Sequence, residues 1–204
     1  MYKVVFVRHA EVQPQWKSIC YGAMDVPLSQ HGIEASSRFA KSWASRLAPS
    51  CIVHSGLQRT EALARMVSDR FPLVPVVVDP RLRERDYGTW QGRHWDAIFA
   101  EHPDLHDLIE QPDTYCPHGG ETTSEMQSRV VGALECLQSR GRAGSGPVLA
   151  ISHSGPMAAL AGHCLNLHAT QWQPWTVQYL ESISFRKNDS SAAAVQVTRH
   201  ERSG

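Results

Sequence analysis

Residues 4–11 run Val4-Val5-Phe6-Val7-Arg8-His9-Ala10-Glu11. A strand with one wet face alternates apolar and polar residues, whereas Val4 to Val7 are apolar throughout. They therefore predict a strand buried on both faces. Arg8, His9 and Glu11 follow at once and are expected just beyond its C-terminal end. The pattern recurs at Val148 to Ile151, where an apolar strand runs into Ser152 and His153 and a helix begins at Gly155 and Pro156. Cys51 to Val53 is a shorter strand that leads into His54 and Ser55. Val76 to Val78 is a third, with Glu84 a few residues on.

Helical patterns lie between these strands. Ser29 is a cap for a helix reaching Leu47, with Ile33, Phe39, Ala40, Trp43 and Leu47 on one face and Pro49 as its stop. A second helix is expected from about Leu57 to Phe71. A third starts at Thr122 or Thr123 and ends near Ser139, with Val130, Leu134 and Leu137 at helical spacing. The segment GRAGSGP that follows is expected to be a turn or surface loop. Residues 176–186 and 193–198 look like closing strands, and the tail His200 to Gly204 is expected to fray. Alternating strands and helices predict an α/β fold with a mostly parallel sheet covered on both faces. Such sheets bind ligands outside the C-terminal ends of their strands, where His9, His54, Ser55 and His153 fall.

The irregular segments are long. Residues 12–29 look like a loop folded over something. Residues 79–93, DPRLRERDYGTWQGR, are polar and carry Gly88 and Gly92. Residues 94–120 form a lid-like excursion from a single domain spanning 1–204. The chain has 204 residues, 42% of them apolar and 20% charged, which suits one globular core. Lys and Arg balance Asp and Glu at a formal net charge of zero, so the basic excess of a nucleic-acid binder is missing. Five widely spaced cysteines with no Cys-x-x-Cys pair argue against a disulfide framework or thiolate zinc site and fit a reducing cytoplasm. The apolar run before Arg8 is too short for a signal core or a membrane span.

The strand ends would bring together two histidines, two arginines and a carboxylate. Phosphoryl transfer needs such a set. Arginine grips phosphoryl oxygens with fork geometry, as Arg8 and Arg59 could. A neutral imidazole can attack phosphorus, and a carboxylic acid can protonate the leaving oxygen. His94, His102, His106 and His118 lack the pairing of a helical metal site, so no metal and no other cofactor is expected.

Val7-Arg8-His9-Ala10-Glu11 resembles the Arg-His-Gly signature of the histidine phosphatase superfamily, which includes the cofactor-dependent phosphoglycerate mutases. Further landmarks follow in order from about residue 3 to residue 184. Gly22, Asp25, Pro27, Leu28 and Gly32 resemble the family's loop and helix start. Ser55-x-Leu57-x-Arg59 resembles its second arginine motif. Leu82-x-Glu84-x-x-x-Gly88-x-Trp90-x-Gly92 resembles its acid loop. Pro117-x-Gly119-Gly120-Glu121 with Arg129 resembles the segment before its long helix. Ser152-His153-Ser154-Gly155 resembles its second-histidine motif. The resemblance implies a three-layer α/β/α sandwich, mostly parallel with an antiparallel edge strand. It implies that His9 is phosphorylated, that Arg8, Arg59 and His153 hold the phosphoryl oxygens, and that Glu84 protonates the leaving group. No metal is implied.

Three positions depart from the family pattern. Ala10 and Ser154 stand where glycine is common, and Leu63 where threonine is. Ser154 would add a donor near the phosphate. The loop after His9 lacks the mutases' Ser-x-Trp-Asn text. Tyr21 to Ser29 looks closest to the α-ribazole phosphatase branch. The implied function is hydrolysis of a small-molecule phosphomonoester, with α-ribazole 5′-phosphate as candidate. A mutase-like phosphoryl transfer and a non-catalytic phosphate-binding module are the alternatives. Neither nucleic acid nor membrane is an expected partner, and a homodimer stays open. Trp90 and Tyr87 are expected to brace the acid loop, and Trp172 and Trp175 to be structural. Asp86 rivals Glu84 as acid. Glu121 either orients substrate or caps its helix.

Overall fold

Alternate side chains of the central strands go to opposite faces of one sheet, and each face is covered by helices. The computed structural model describes residues 2–45, 48–143, 146–187 and 195–200. Strand β1 (Tyr2–Arg8) pairs in parallel with β4 (Val148–Ser152), which places Arg8 opposite Ser152. On the far side of β4 lie β2 (Cys51–His54) and then β3 (Val76–Val78), both parallel. On the other side β1 pairs antiparallel with β5 (Ser182–Lys187), and β5 pairs antiparallel with β6 (Gln196–His200). The order is β3-β2-β4-β1-β5-β6. The mostly parallel sheet with an antiparallel edge is the expected one.

Val5, Val7, Ile52, Leu149 and Ile151 face α1 (Gln30–Ala44) and α2 (Gln58–Ser68). Val4, Phe6, Cys51, Val53, Val148 and Ala150 face α5 (Thr123–Ala143) and α6 (Ser154–Cys164). Each fully buried Val, Leu, Ile or Phe contributes about 1.5–3 kcal/mol relative to exposure. Truncating a central one such as Ile151 to alanine would cost about 2–5 kcal/mol. β3 departs from the expectation of a fully covered sheet. It is an edge strand, with Val76 42% and Val78 55% exposed.

Two helix starts follow their sequence signals. Ser29 Oγ accepts from Gly32 N at 2.9 Å. Gly32 is required there because a Cβ would stand 2.2 Å from the Glu11 carbonyl. Thr122, not Thr123, caps α5: its Oγ1 accepts from Glu125 N at 3.1 Å, and Glu125 Oε2 accepts from Thr122 N at 2.8 Å. This is a reciprocal capping box.

Other boundaries differ. α1 stops at Ala44, and Leu47 lies outside the described residues. Ile33 is 40% exposed, because Gly32, Ala35, Ser36, Ala40 and Trp43 form the buried face. α5 continues through Gly141 to Ala143, into the segment expected to turn. Arg140, in its last turn, suits a helix C-terminus. The closing strand β5 starts only at Ser182, so residues 176–181 are not strand. Of the second closing strand, residues 193–194 are outside the described set, as is 201–204 of the tail.

The excursion after residue 94 holds α3 (Trp95–Glu101) and α4 (Asp107–Glu110). Ile98 and Leu108 join Cys20 and Trp90 in a small core separate from the two main ones. All five cysteines are unpaired. Among the described residues no helix is long and apolar enough to cross a membrane.

Candidate active site

The parallel register of β1 and β4 sets the two histidines side by side. His9 N donates to the Ser152 carbonyl at 3.1 Å, and the rings of His9 and His153 lie 5.0 Å apart at 61°. Both are buried, at 1% and 0% exposure. The imidazole Nδ1 of His9 is 2.7 Å from the carbonyl oxygen of Ala10. A carbonyl only accepts, so Nδ1 carries the proton and Nε2 keeps its lone pair. Ala10 itself is buried without a left-handed backbone, so its methyl group fits.

A chain of hydrogen bonds fixes His153. Thr60 Oγ1 donates to the Leu57 carbonyl at 2.8 Å. Ser55 Oγ, 2.9 Å from Thr60 Oγ1, then donates to it and accepts from His153 Nε2 at 3.0 Å. Arg59 Nε donates to His153 Nδ1 at 3.3 Å. Both ring nitrogens of His153 are thus held by protein groups. Burial, followed by the charges of Arg59 and Arg8, keeps the His9 imidazole well below its usual pKa, against the bond to Ala10. Burial keeps His153 well below as well, with Arg59, His9, Arg8 and Arg129 adding to it. Both rings are neutral near pH 7.

Arg59 is fully buried at the start of α2. Its Nη1 donates to the Met24 carbonyl at 2.6 Å and its Nη2 to that of Gly22 at 2.7 Å. The loop of residues 21–24 is thereby tied to the strand ends. Arg8 donates through Nη1 to the Val177 carbonyl at 2.7 Å, while its buried Nε has no partner. Ser154 Oγ donates to the same Val177 carbonyl at 3.3 Å.

Glu84 reaches the pocket from the loop after β3. Arg85 N donates to its Oε1 at 3.0 Å, and Gly155 N, in the first turn of α6, to its Oε2 at 3.4 Å. A Cβ at Gly155 would come within 2.4 Å of Oε1, so only glycine lets the carboxylate sit there. The loop is held from behind by Arg129. It forms a two-pronged pair with Glu121, at 2.8 and 2.6 Å, and donates to the carbonyls of Arg81, Arg83 and Glu84. Glu121 also accepts from Asp86 N at 2.9 Å. Glu121 is therefore neither a helix cap nor a free carboxylate. It braces the acid loop.

The neighbours of Glu84 are sorted by the fold. Arg81 pairs with Asp79 at 2.7 Å and Arg83 is exposed. Arg85 is buried, 5% exposed, and bonds Thr123 Oγ1. Asp86 accepts from Gly88 N at 2.8 Å and is spent on its own turn. Trp90 is buried in the small core and Tyr87 packs edge-on against Trp95, as bracing residues. His54 lies on the strand end, buried, with Gly56 N donating to its Nδ1 at 3.3 Å, and takes no part in the His9–His153 cluster.

Two residues escaped the sequence reading. Tyr179 lies against the His9 ring at 5.7 Å and under the Arg8 guanidinium at 4.3 Å. Tyr21 lies 5.3 Å from the Arg59 guanidinium, and burial pushes its hydroxyl up to about 12. Neither carries a local signal; each is an isolated tyrosine in an irregular segment. Among the described residues, His106, Asp107 and Glu110 on α4 form the one group with metal-ligand spacing, and it is largely exposed.

The arrangement offers two buried imidazoles, two guanidinium groups, a helix N-terminus and a carboxylate. Residues 4–198 match the histidine phosphatase superfamily (branch 1). A glucosyl-3-phosphoglycerate phosphatase of Mycolicibacterium vanbaalenii is 32% identical over 175 residues, covering 83% of this chain and 77% of that protein. A probable phosphoglycerate mutase of Enterobacter sp. is 33% identical over 171 residues, with 83% and 77% covered. Among solved structures, a mycobacterial glucosyl-3-phosphoglycerate phosphatase in complex with VO3 superposes with a TM-score of 0.82 at 26% identity, covering 98% and 97% of the chains. The α-ribazole phosphatase of Shigella flexneri superposes at 0.80 with 22% identity, covering 97% and 96%.

Proposed function

We propose, from the premise that this chain belongs to the histidine phosphatase superfamily (branch 1) and hydrolyses phosphomonoesters as a histidine phosphatase, that His9 carries the phosphoryl group between substrate and water. The observation that supports this is the Nδ1 contact of His9 to the Ala10 carbonyl, 2.7 Å, which leaves Nε2 free and neutral. Nε2 attacks phosphorus as the P–O bond to the leaving group breaks. Glu84 delivers a proton to the departing oxygen. Water then attacks the phosphohistidine, and Glu84 takes its proton. Arg8, Arg59 and His153 bind the phosphoryl oxygens, and Ser154 and the first turn of α6 lie beside them. The two arginines supply the charge that a metal supplies elsewhere, so turnover should survive exhaustive chelation.

The substrate is a small-molecule phosphomonoester. Tyr21 to Ser29 suggests α-ribazole 5′-phosphate, but the likeness to that phosphatase, at 22% identity, carries the fold alone. The 32% identity to a glucosyl-3-phosphoglycerate phosphatase puts glucosyl-3-phosphoglycerate ahead of it. The 33% identity to a probable phosphoglycerate mutase supports a second reading, in which the phosphoryl group returns to a sugar acid. A hydrolysis screen over these esters, with His9→Ala as control, decides among them. Release of inorganic phosphate with kcat/KM highest for glucosyl-3-phosphoglycerate supports the first reading. Interconversion of phosphoglycerates with a bisphosphoglycerate primer supports the mutase. Full activity in His9→Ala overturns both.

A further inference from the structure

Arg8 and Arg59 are anchored very differently. Arg59 makes three side-chain hydrogen bonds, to Met24, Gly22 and His153. Arg8 makes one, from Nη1 to the Val177 carbonyl, and its Nε is buried without a partner. One hydrogen bond leaves a guanidinium free to swing about it. The second constraint on Arg8 is the ring of Tyr179, whose centroid lies 4.3 Å from Cζ. The same ring leans on His9, 5.7 Å away at 48°.

The backbone that presents this ring is strained. Leu180, the next residue, has φ +65°, a left-handed conformation that bulky residues rarely adopt. It is held there by two hydrogen bonds with Arg8 itself: Leu180 N donates to the Arg8 carbonyl and Arg8 N to the Glu181 carbonyl, both at 3.1 Å. Burial of the Leu180 side chain adds to this, as do Gln178 N donating to Glu181 Oε2 at 2.8 Å and Arg199 pairing with the same oxygen at 2.9 Å. Strain of this kind persists only where surrounding contacts enforce it, and here its product is the placement of Tyr179.

We propose that Tyr179 is a positioning residue for Arg8: its ring face and the Val177 carbonyl fix the guanidinium plane so that the guanidinium meets the phosphoryl group beside His9. The ring, not the hydroxyl, carries the role, since the attraction is between the cation and the π-face. This rests on the reading that Arg8 binds the phosphoryl group, and the test separates the two. Affinity for orthovanadate and kcat/KM for a good phosphomonoester are measured in Tyr179→Leu, Tyr179→Phe, Arg8→Ala and the double variant Arg8→Ala with Tyr179→Leu. Tyr179→Met stands in if the leucine variant fails to fold.

Tyr179→Leu should weaken both quantities about 5- to 30-fold, the range of a partly desolvated cation–π contact. Tyr179→Phe should stay within about 3-fold of the parent, since a phenyl face keeps that contact. In the Arg8→Ala background the leucine substitution should add nothing. Equal losses in the leucine and phenylalanine variants, or losses that add fully to that of Arg8→Ala, overturn the role of Tyr179. Unchanged vanadate affinity in Arg8→Ala overturns the underlying reading of Arg8.

Discussion

Arg59 Nε donates to His153 Nδ1 at 3.3 Å, so that ring nitrogen bears no proton. The single ring proton sits on Nε2 and is donated to Ser55 Oγ at 3.0 Å. A dianionic phosphoryl group entering the pocket changes the balance. It accepts from Arg59 Nε and favours a proton on His153 Nδ1, so that both groups point at the same anion. Binding of phosphate near pH 7 is therefore expected to protonate His153, an uptake of about one proton after the anion's own ionisation is subtracted. Calorimetric titration in buffers of different ionisation enthalpy reads this directly. The Ser55→Ala variant, which frees the ring to choose its tautomer, should show a smaller uptake. Anion binding without any proton uptake would remove His153 from the phosphoryl site.

The same two histidines make the fold acid-sensitive. Both are held well below the usual imidazole pKa by burial and by the neighbouring arginines. Below about pH 6.5 the unfolded chain binds protons that the folded chain refuses, so stability rises with pH there. The contribution is complete above pH ~6.5 and is lost as pH falls toward the folded-state values, at up to about 1.4 kcal/mol per pH unit for each ring. Urea midpoints between pH 8 and pH 5 should fall on the acid side, and less steeply in His9→Ala. A flat profile would mean that the rings are not buried as neutral groups.

Glu84 and Gly155 should fail together. Glu84→Gln keeps the shape and removes the proton, so turnover of alkyl phosphates with poor leaving groups should drop on the order of 10²-fold or more. p-Nitrophenyl phosphate, whose leaving group needs little protonation, should lose far less. Gly155→Ala places a Cβ where Glu84 Oε1 now sits and should reproduce the same selective loss. Equal losses on both esters would assign Glu84 a supporting role. A selective loss in Asp86→Asn would move the proton to Asp86.

Arg129 lies outside the chemistry yet holds the acid loop by three carbonyls and Glu121. Removing it leaves those acceptors and a half-buried carboxylate without their partner. Arg129→Ala is expected to cost about 2–3 kcal/mol of stability and to lower turnover most for poor leaving groups. Arg129→Lys, a point charge without the fork, should recover only part. A variant with parental stability and selectivity would show that the loop stands without this brace.

Local pattern made the strands and caps legible. The central residues of β1, β2 and β4 are buried on both faces and so are apolar in unbroken runs, and Ser29 and Thr122 sit where caps belong. Arg8, His9, Arg59, His153 and Ser154 lie at strand ends or helix starts, a placement the local pattern gives, while the roles proposed for them and for Glu84 come from the family resemblance. Other features depend on contacts distant in sequence. Residues 176–181 carry a strand-like text, yet hydrogen bonds from Arg8 and Glu181 draw them into a strained turn that delivers Tyr179. Glu121 looked local to its helix, but its partners are Arg129 and the backbone of Asp86. Arg85 stands in a run of charged residues and is nevertheless buried against Thr123.

The central claim is that His9 Nε2 carries the phosphoryl group. It rests on a ring turned so that Nδ1 meets the Ala10 carbonyl at 2.7 Å. Rapid quench of the enzyme with a substrate labelled in its phosphoryl group is the most direct measurement. Acid-labile, base-stable label on His9, absent from His9→Ala, is the expected result. Label on a serine or cysteine, or release of labelled inorganic phosphate with no labelled enzyme at any time point, would contradict it.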